Sequence, residues 1–303
     1  MLHRPHLSPG LMRIGVKTVL RPMLNPRWPV GVQRRLIDAA GLVSVTAADT
    51  TRTAVTLGGR PAERYVSDSG EADGAVLYLH GGGYVVGSPS THRPICSHLA
   101  ASSQSEVFSL DYRLAPEFPY PAALDDVVSA YQELLDNGIP ASKIVLSGDS
   151  AGGGLVLSAM LRIREAGIEL PAGAAVISPW VDLSLAQTHE CDNDPMLQVS
   201  WLRQNAERYL STSAITPDLD PLAADLKGFP PLLIHVGSDE ILLRDAERLA
   251  EHARQCGVAV EFTVLTGLWH VVHLHAGLVP EATTAVNDMG RFIHAVRATG
   301  TSS

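Results

Sequence analysis

Residues 148–152 read Gly-Asp-Ser-Ala-Gly. They constrain the fold more than any other stretch, because they place a serine at a change of backbone type. Before them, residues 143–147 (Lys-Ile-Val-Leu-Ser) form a short β-branched run that reads as a buried strand. After them, residues 151–166 carry Leu, Ala and Met at helical spacing. Glycines on both sides of the serine leave room for the chain to fold back on itself. Strand, sharp turn and helix are the context in which G-x-S-x-G presents a nucleophilic serine.

The rest of the chain extends that unit. Candidate strands fall at 42–47, 53–57, 62–66, 75–79, 107–110, 174–177, 232–236 and 260–265. Candidate helices fall at 94–102, 122–136, 243–256 and 282–298. Strand and helix alternate from residue 75 onward, which predicts an α/β fold with a mainly parallel sheet covered on both faces. At 303 residues, 46% hydrophobic and 18% charged, the chain can build one large domain. Two segments stand outside the alternation. Residues 1–40 hold short amphipathic helical stretches, and their spacing alone favours a packing arm. Residues 180–215 hold Trp180, Met196, Trp201, Leu202 and Tyr209, mostly in a helix after Pro195, and an insertion of this size is often a lid or binding element.

Charge and cysteine content exclude several function classes. There are 23 Lys and Arg against 32 Asp and Glu, a formal net charge of −9, with no basic run. That argues against nucleic acid as a partner and against tight binding to anionic membranes. No apolar run is long enough to span a bilayer, and the first residues lack a signal-peptide core, so stable membrane insertion and secretion are not expected. Cys96, Cys191 and Cys256 are far apart and odd in number, which suits reduced thiols in the cytoplasm.

A serine hydroxyl needs a base to take its proton, and the base needs an orienting acid. In chain order after Ser150, the base candidate is His270, in the loop after the last strand. His273 and His275 lie nearby, so a structural histidine or a metal cluster are the other readings. No carboxylate or cysteine ligands stand out to complete such a cluster, and no metal or other cofactor is expected. The acid should follow strand 232–236, where Asp239 and Glu240 stand side by side and spacing does not choose between them. His80-Gly81-Gly82-Gly83, after strand 75–79, can bring backbone N–H groups onto a developing oxyanion. It lacks the G-K-[ST] of a phosphate-binding P-loop.

Three motifs in order, His80 to Gly83, Tyr112-Arg113-Leu114-Ala115-Pro116-Glu117 and Gly148 to Gly152, resemble the hormone-sensitive-lipase-like family of microbial carboxylesterases. The resemblance spans about residues 74–275. It implies an alpha/beta hydrolase fold in one domain, with a helical cap built from residues 1–40 and 180–215, so the arm becomes part of a lid. It also implies Ser150 as nucleophile, His270 as base, and Gly82, Gly83 and Ala151 as oxyanion donors. The family's acid usually reads Asp-Pro-Leu. Glu240-Ile241-Leu242 stands in that pattern, which puts Glu240 ahead of Asp239. Candidate substrate-contacting side chains are Tyr84, Trp201 and Leu202, in an apolar pocket with Leu24, Trp28, Met196 and Tyr209. The expected substrate is a small-molecule ester of short to medium acyl length. Related receptors on this fold lack the histidine, so His270 weighs against a non-catalytic binder, while an amidase or lactonase would use the same groups. The family often forms homodimers, but no stretch of this sequence marks an interface.

Overall fold

A computed structural model describes residues 6–41, 44–70 and 72–299. Its frame is one eight-stranded sheet in the order β1-β2-β4-β3-β5-β6-β7-β8. β1 (Thr50–Leu57) and β2 (Arg60–Ser67) form an antiparallel hairpin. Gly58 and Gly59 turn it with φ of 61° and 72°, the left-handed values a tight hairpin of this hand requires. β2 pairs antiparallel with β4 (Glu106–Leu110). β4, β3 (Ala75–Leu79), β5 (Ile144–Asp149), β6 (Gly173–Ile177), β7 (Leu232–Gly237) and β8 (Val260–Leu265) are parallel to one another.

Every residue of β3, β5, β6 and β7 is buried. The reason is that both faces of the sheet are covered, which is why these strands read as unbroken apolar runs. Side chains alternate across the sheet. Val76, Tyr78 and Val145 pack with α4 (Arg93–Ser103) and α9 (Pro280–Thr299) through Ile95, Leu99, Val286 and Ile293. Leu77, Leu79 and Leu146 pack with α5 (Ala122–Asp136), α6 (Ala151–Glu165) and α8 (Leu243–Gln255) through Val127, Leu155, Met160 and Leu249.

The strand expected at 42–47 is not there. Residues 42 and 43 lie outside the described residues, and 44–47 are not paired with the sheet. The backbone polar groups go elsewhere: Ser44 N–H bonds the Gly41 carbonyl, and Ala47 N–H bonds the Ser97 hydroxyl of α4 at 3.1 Å. Pairing with the sheet begins only at Thr50.

The N-terminal residues form α1 (Pro9–Gly15), one wider π turn at Val16–Leu20, then α2 (Arg21–Met23) and α3 (Val30–Gly41). The 180–215 insertion carries α7 (Val199–Leu210). Side-chain hydrogen bonds join these segments to each other and to the rest. The indole N–H of Trp201 on α7 donates to Oε1 of the fully buried Gln33 on α3 at 2.9 Å. Arg34 donates to the carbonyls of Val85 and Ala115, both at 2.8 Å, and pairs with Glu117.

Candidate active site

Ser150 sits between β5 and α6 with φ 52° and ψ −121°. A left-handed φ at a residue with a side chain costs about 1–3 kcal/mol, and its surroundings hold it there. Its N–H donates to the Ile177 carbonyl at 2.8 Å and its carbonyl accepts from Trp180 N–H at 2.9 Å. The turn is tight enough that a Cβ on Gly152 would lie 2.0 Å from the Leu79 carbonyl oxygen. Glycine at 152 is therefore a steric requirement of the serine's position.

β7 and β8 end beside it and carry the acid and the histidine. Nδ1–H of His270 donates to Oε1 of Glu240 at 3.2 Å. Oε2 of Glu240 accepts from the Ser178 hydroxyl at 2.7 Å and from Gly237 N–H at 2.8 Å. Both side chains are buried. Burial by itself lowers the histidine's pKa; the charge and hydrogen bond of Glu240, helped by Asp194 and Asp149, outweigh it and leave His270 above its ordinary value. Asp239 faces the other way. Its carboxylate accepts from the Ser238 hydroxyl at 2.8 Å and pairs with Arg13, whose guanidinium also lies over the Trp269 ring. Of the two adjacent carboxylates, only Glu240 reaches the imidazole.

The glycine loop is braced from three sides. Tyr112 stacks on His80 with ring centroids 4.3 Å apart and donates its hydroxyl to the His80 carbonyl at 2.6 Å. Ala115 N–H bonds the Tyr84 carbonyl at 2.9 Å, so the 112–117 motif supports the loop from below. Asp149, just before the serine, accepts from Gly81 N–H at 3.0 Å and from the Tyr78 hydroxyl at 2.8 Å. Gly82 has φ 121°, and a Cβ there would lie 2.0 Å from the Val86 carbonyl oxygen. No acceptor among the described residues is recorded for the N–H groups of Gly82, Gly83 or Ala151.

Ser150 and His270 border one cavity of about 340 Å³. Its walls come from Met12, Val16 and Leu20 of the N-terminal helices, from Met196, Leu197 and Trp201 of the insertion, and from Leu274 and Leu278. Leu24, Met196 and Trp201 line it as expected from sequence. Four other expected side chains do not. Tyr84 is buried and stacks on Tyr209 at 3.8 Å between centroids, which occupies both rings in packing. Leu202 is wholly buried in the core, one position round α7 from Trp201. Trp28 points to solvent, 38% exposed. Among the described residues no group of three His, Cys, Asp or Glu converges as a metal site. His273 is buried against His235 instead, Nε2 to Nδ1 at 3.2 Å.

A model of the alpha/beta hydrolase fold matches residues 76–274. A hormone-sensitive lipase from a metagenome library superposes with a TM-score of 0.91 at 36% identity, over 97% of this chain and 100% of that one. The chain belongs to the hormone-sensitive-lipase-like alpha/beta hydrolases. An esterase of the bacterial hormone-sensitive lipase family gives 0.88 at 37% identity, over 96% and 99%. The acetyl-hydrolase of Streptomyces hygroscopicus is 39% identical over 270 residues, 88% of this chain and 89% of its own. With these relatives the protein is a carboxylic ester hydrolase.

Three side chains of this hydrolase's site were not singled out from sequence. Asp149 occupies the variable position of G-x-S-x-G, yet it is a buried carboxylate held below its ordinary pKa. Burial pushes it up, and His92, Tyr78 and His80 more than compensate. Ser178 directly follows β6 with φ 47° and buttresses Glu240. Asp194 in the insertion accepts from Met196, Leu197 and Ile241 N–H groups, which ties the insertion to the turn carrying the acid. The available signal was a polar residue at the end of a buried strand for the first two. Asp194 had none, because its partners are 47 positions away in one case.

Proposed function

We propose that this esterase hydrolyses uncharged esters of short to medium acyl length through an acyl-enzyme on Ser150. The observation that carries the reading is the buried chain Ser178–Glu240–His270, which opens onto the cavity that Ser150 also borders. With Nδ1–H given to Glu240, Nε2 of His270 is the free base. It takes the Ser150 proton as the oxygen attacks the ester carbonyl. The N–H groups of Gly82, Gly83 and Ala151 receive the oxyanion, at the positive end of α6. His270 then returns the proton to the leaving alcohol, and water repeats the cycle to free the acid. Glu240 keeps the imidazole oriented and stabilises the imidazolium.

The N-terminal helices and the 180–215 insertion serve as the cap of a single-domain enzyme, in support of which Met12, Val16, Leu20, Leu24, Met196 and Trp201 all line the cavity. Its lining contains no Lys or Arg, so an anionic acyl group finds no cationic counter-ion there. Among the described residues no helix is long and apolar enough to cross a membrane. Three unpaired cysteines favour a reducing compartment such as the cytoplasm. The S. hygroscopicus relative is named an acetyl-hydrolase, in keeping with the short end of the acyl range.

Hydrolysis of p-nitrophenyl esters of rising chain length, by the wild type and by Ser150→Ala, tests this. The expected outcome is a rate that peaks at short or medium chains and disappears in the variant. Activity that persists in Ser150→Ala overturns the nucleophile, and a peak at long chains overturns the substrate class.

A further inference from the structure

The charge of the chain is segregated. Residues 6–41 carry six Lys and Arg against one acid, Asp38, while the whole chain is at −9. Asp38 is itself engaged, accepting from the Ser88 hydroxyl at 2.8 Å. Three of the basic side chains, Arg13, Arg21 and Arg34, turn inward onto carbonyls or carboxylates of the body. Lys17, Arg27 and Arg35 are exposed, with no recorded side-chain partner among the described residues.

Exposed apolar side chains collect on the same segment. Of the eight large hydrophobic residues exposed among the described residues, five are here: Leu11, Ile14, Val19, Trp28 and Val32. The helical spacing separates two faces. Met12, Val16 and Leu20 face the cavity, while Leu11, Ile14 and Lys17 form the outward row. On α3, Val32 and Arg35 are exposed on the side away from the cavity-lining Ile37 and Ala40, and Arg27 and Trp28 are exposed in the turn between. Val19 belongs to both, being exposed and also lining the cavity, so the outer face runs into the cavity mouth. Scattered exposed apolar residues are ordinary, but their concentration here, interleaved with cations and with no exposed acid, is the pattern of a helix lying in a lipid interface.

We propose that this outer face docks reversibly on an anionic lipid surface and so presents the cavity mouth to esters held there. The charge decides the occupant. A second copy applied through the same face would bring positive against positive, whereas an anionic lipid surface is complementary to it and admits Trp28, Leu11 and Ile14 at the headgroup level. The rest of the molecule, strongly acidic, is repelled from that surface, which orients the arm toward it. Whole-chain charge argued against tight electrostatic binding to such a surface; segregation reverses the argument for this one face, while leaving stable insertion excluded.

The test uses the full chain and vesicles of phosphatidylcholine with or without phosphatidylglycerol, read by flotation and by tryptophan emission. Trp180, Trp201 and Trp269 are buried, so a blue shift on adding vesicles reports Trp28. The expected result is flotation and a blue shift with the anionic vesicles only, both reduced at raised salt. The triple variant Lys17→Glu, Arg27→Glu, Arg35→Glu should float at least about tenfold less while hydrolysing soluble p-nitrophenyl acetate like the wild type. Trp28→Phe should still float but lose the shift. Equal flotation on neutral vesicles, none on either, or undiminished flotation of the triple variant overturns the proposal. Binding to polyglutamate without flotation overturns it in favour of an acidic protein partner.

Discussion

Adjacent carboxylates with opposite surroundings define the residue scale. Glu240 is buried and hydrogen-bonded to three groups, His270, Ser178 and Gly237, while Asp239 is half-exposed and paired with Arg13. Glu240→Ala should lower kcat by about 10³–10⁴, because the imidazole loses its orienting partner and the counter-charge of its protonated form. Asp239→Ala should cost less than about fivefold, the scale of a half-exposed ion pair. Steady-state kinetics on one ester checks both, and the opposite ranking would transfer the acid role to Asp239. A pH profile gives a second check. In the proposed mechanism His270 is the base only when neutral, and its pKa lies above the ordinary value, so kcat/KM should rise with pH through a midpoint above 6.5. In Glu240→Gln the upward influence of the carboxylate charge is gone while burial remains. The midpoint of the residual activity should then move down in pH.

Helices and strands set the next scale, where the serine's turn and the N-terminal arm behave differently. Gly152→Ala should unfold the elbow or displace the serine, since the added methyl would lie 2.0 Å from a β3 carbonyl at the centre of the sheet. Expression yield and thermal melting detect the first outcome, and loss of activity in a folded protein the second. Arg34 holds α3 through two carbonyl bonds and an exposed carboxylate. Arg34→Ala should cost about 1–3 kcal/mol, a fall in Tm of several degrees for a chain of this size, with the carbonyl bonds rather than the ion pair responsible. Most elements were legible in advance. β3, β8 and α5 have the bounds read from sequence, because a doubly covered strand, a β-branched edge strand and a one-faced helix each leave a simple pattern. Residues 44–47 were misread because β-branched and apolar residues also suit an irregular segment whose backbone is satisfied by a neighbouring helix.

Across the whole molecule, buried neutral histidines tie stability to pH. Burial is the leading cause for all four: His80 is pushed down to about 3, His235 and His275 to about 4, and His273 well below its ordinary value, with the His92 and His235 neighbours adding to it for His80 and His273. Each binds a proton more readily unfolded than folded. Their contribution is therefore full above about 6.5, the unfolded value, and is lost as pH falls toward the folded values near 4 and 3. His270 has the opposite sign, contributing below its unfolded value and losing that contribution as pH rises through its raised folded one. Asp245, raised by burial to about 6, and Asp194 and Asp111, also raised by burial, gain stability as pH falls; the four histidines outweigh them because their shifts are the larger, so Tm should fall between pH 6.5 and 4. Melting curves in that window, compared with His273→Gln, measure it, and the variant should show a shallower fall.

What the sequence determined by itself was local. The alternation of elements, the elbow around Ser150, the glycine loop and the histidine after the last strand each lie within a few residues, where sterics and hydrophobic period act. The tertiary structure decided what depends on distant segments meeting. It set Glu240, and not Asp239, against His270 and Ser178, through where the ends of β6 and β8 lie. It removed Tyr84 and Leu202 from the cavity wall by packing them into the core, and put Met12 and Val16 there in their place. It also turned six basic residues, invisible within a net charge of −9, into inward anchors and one outward face. The physical reason is that a side chain's direction is set by the helix or strand that carries it and by what packs against that element, and neither is written in its immediate neighbours.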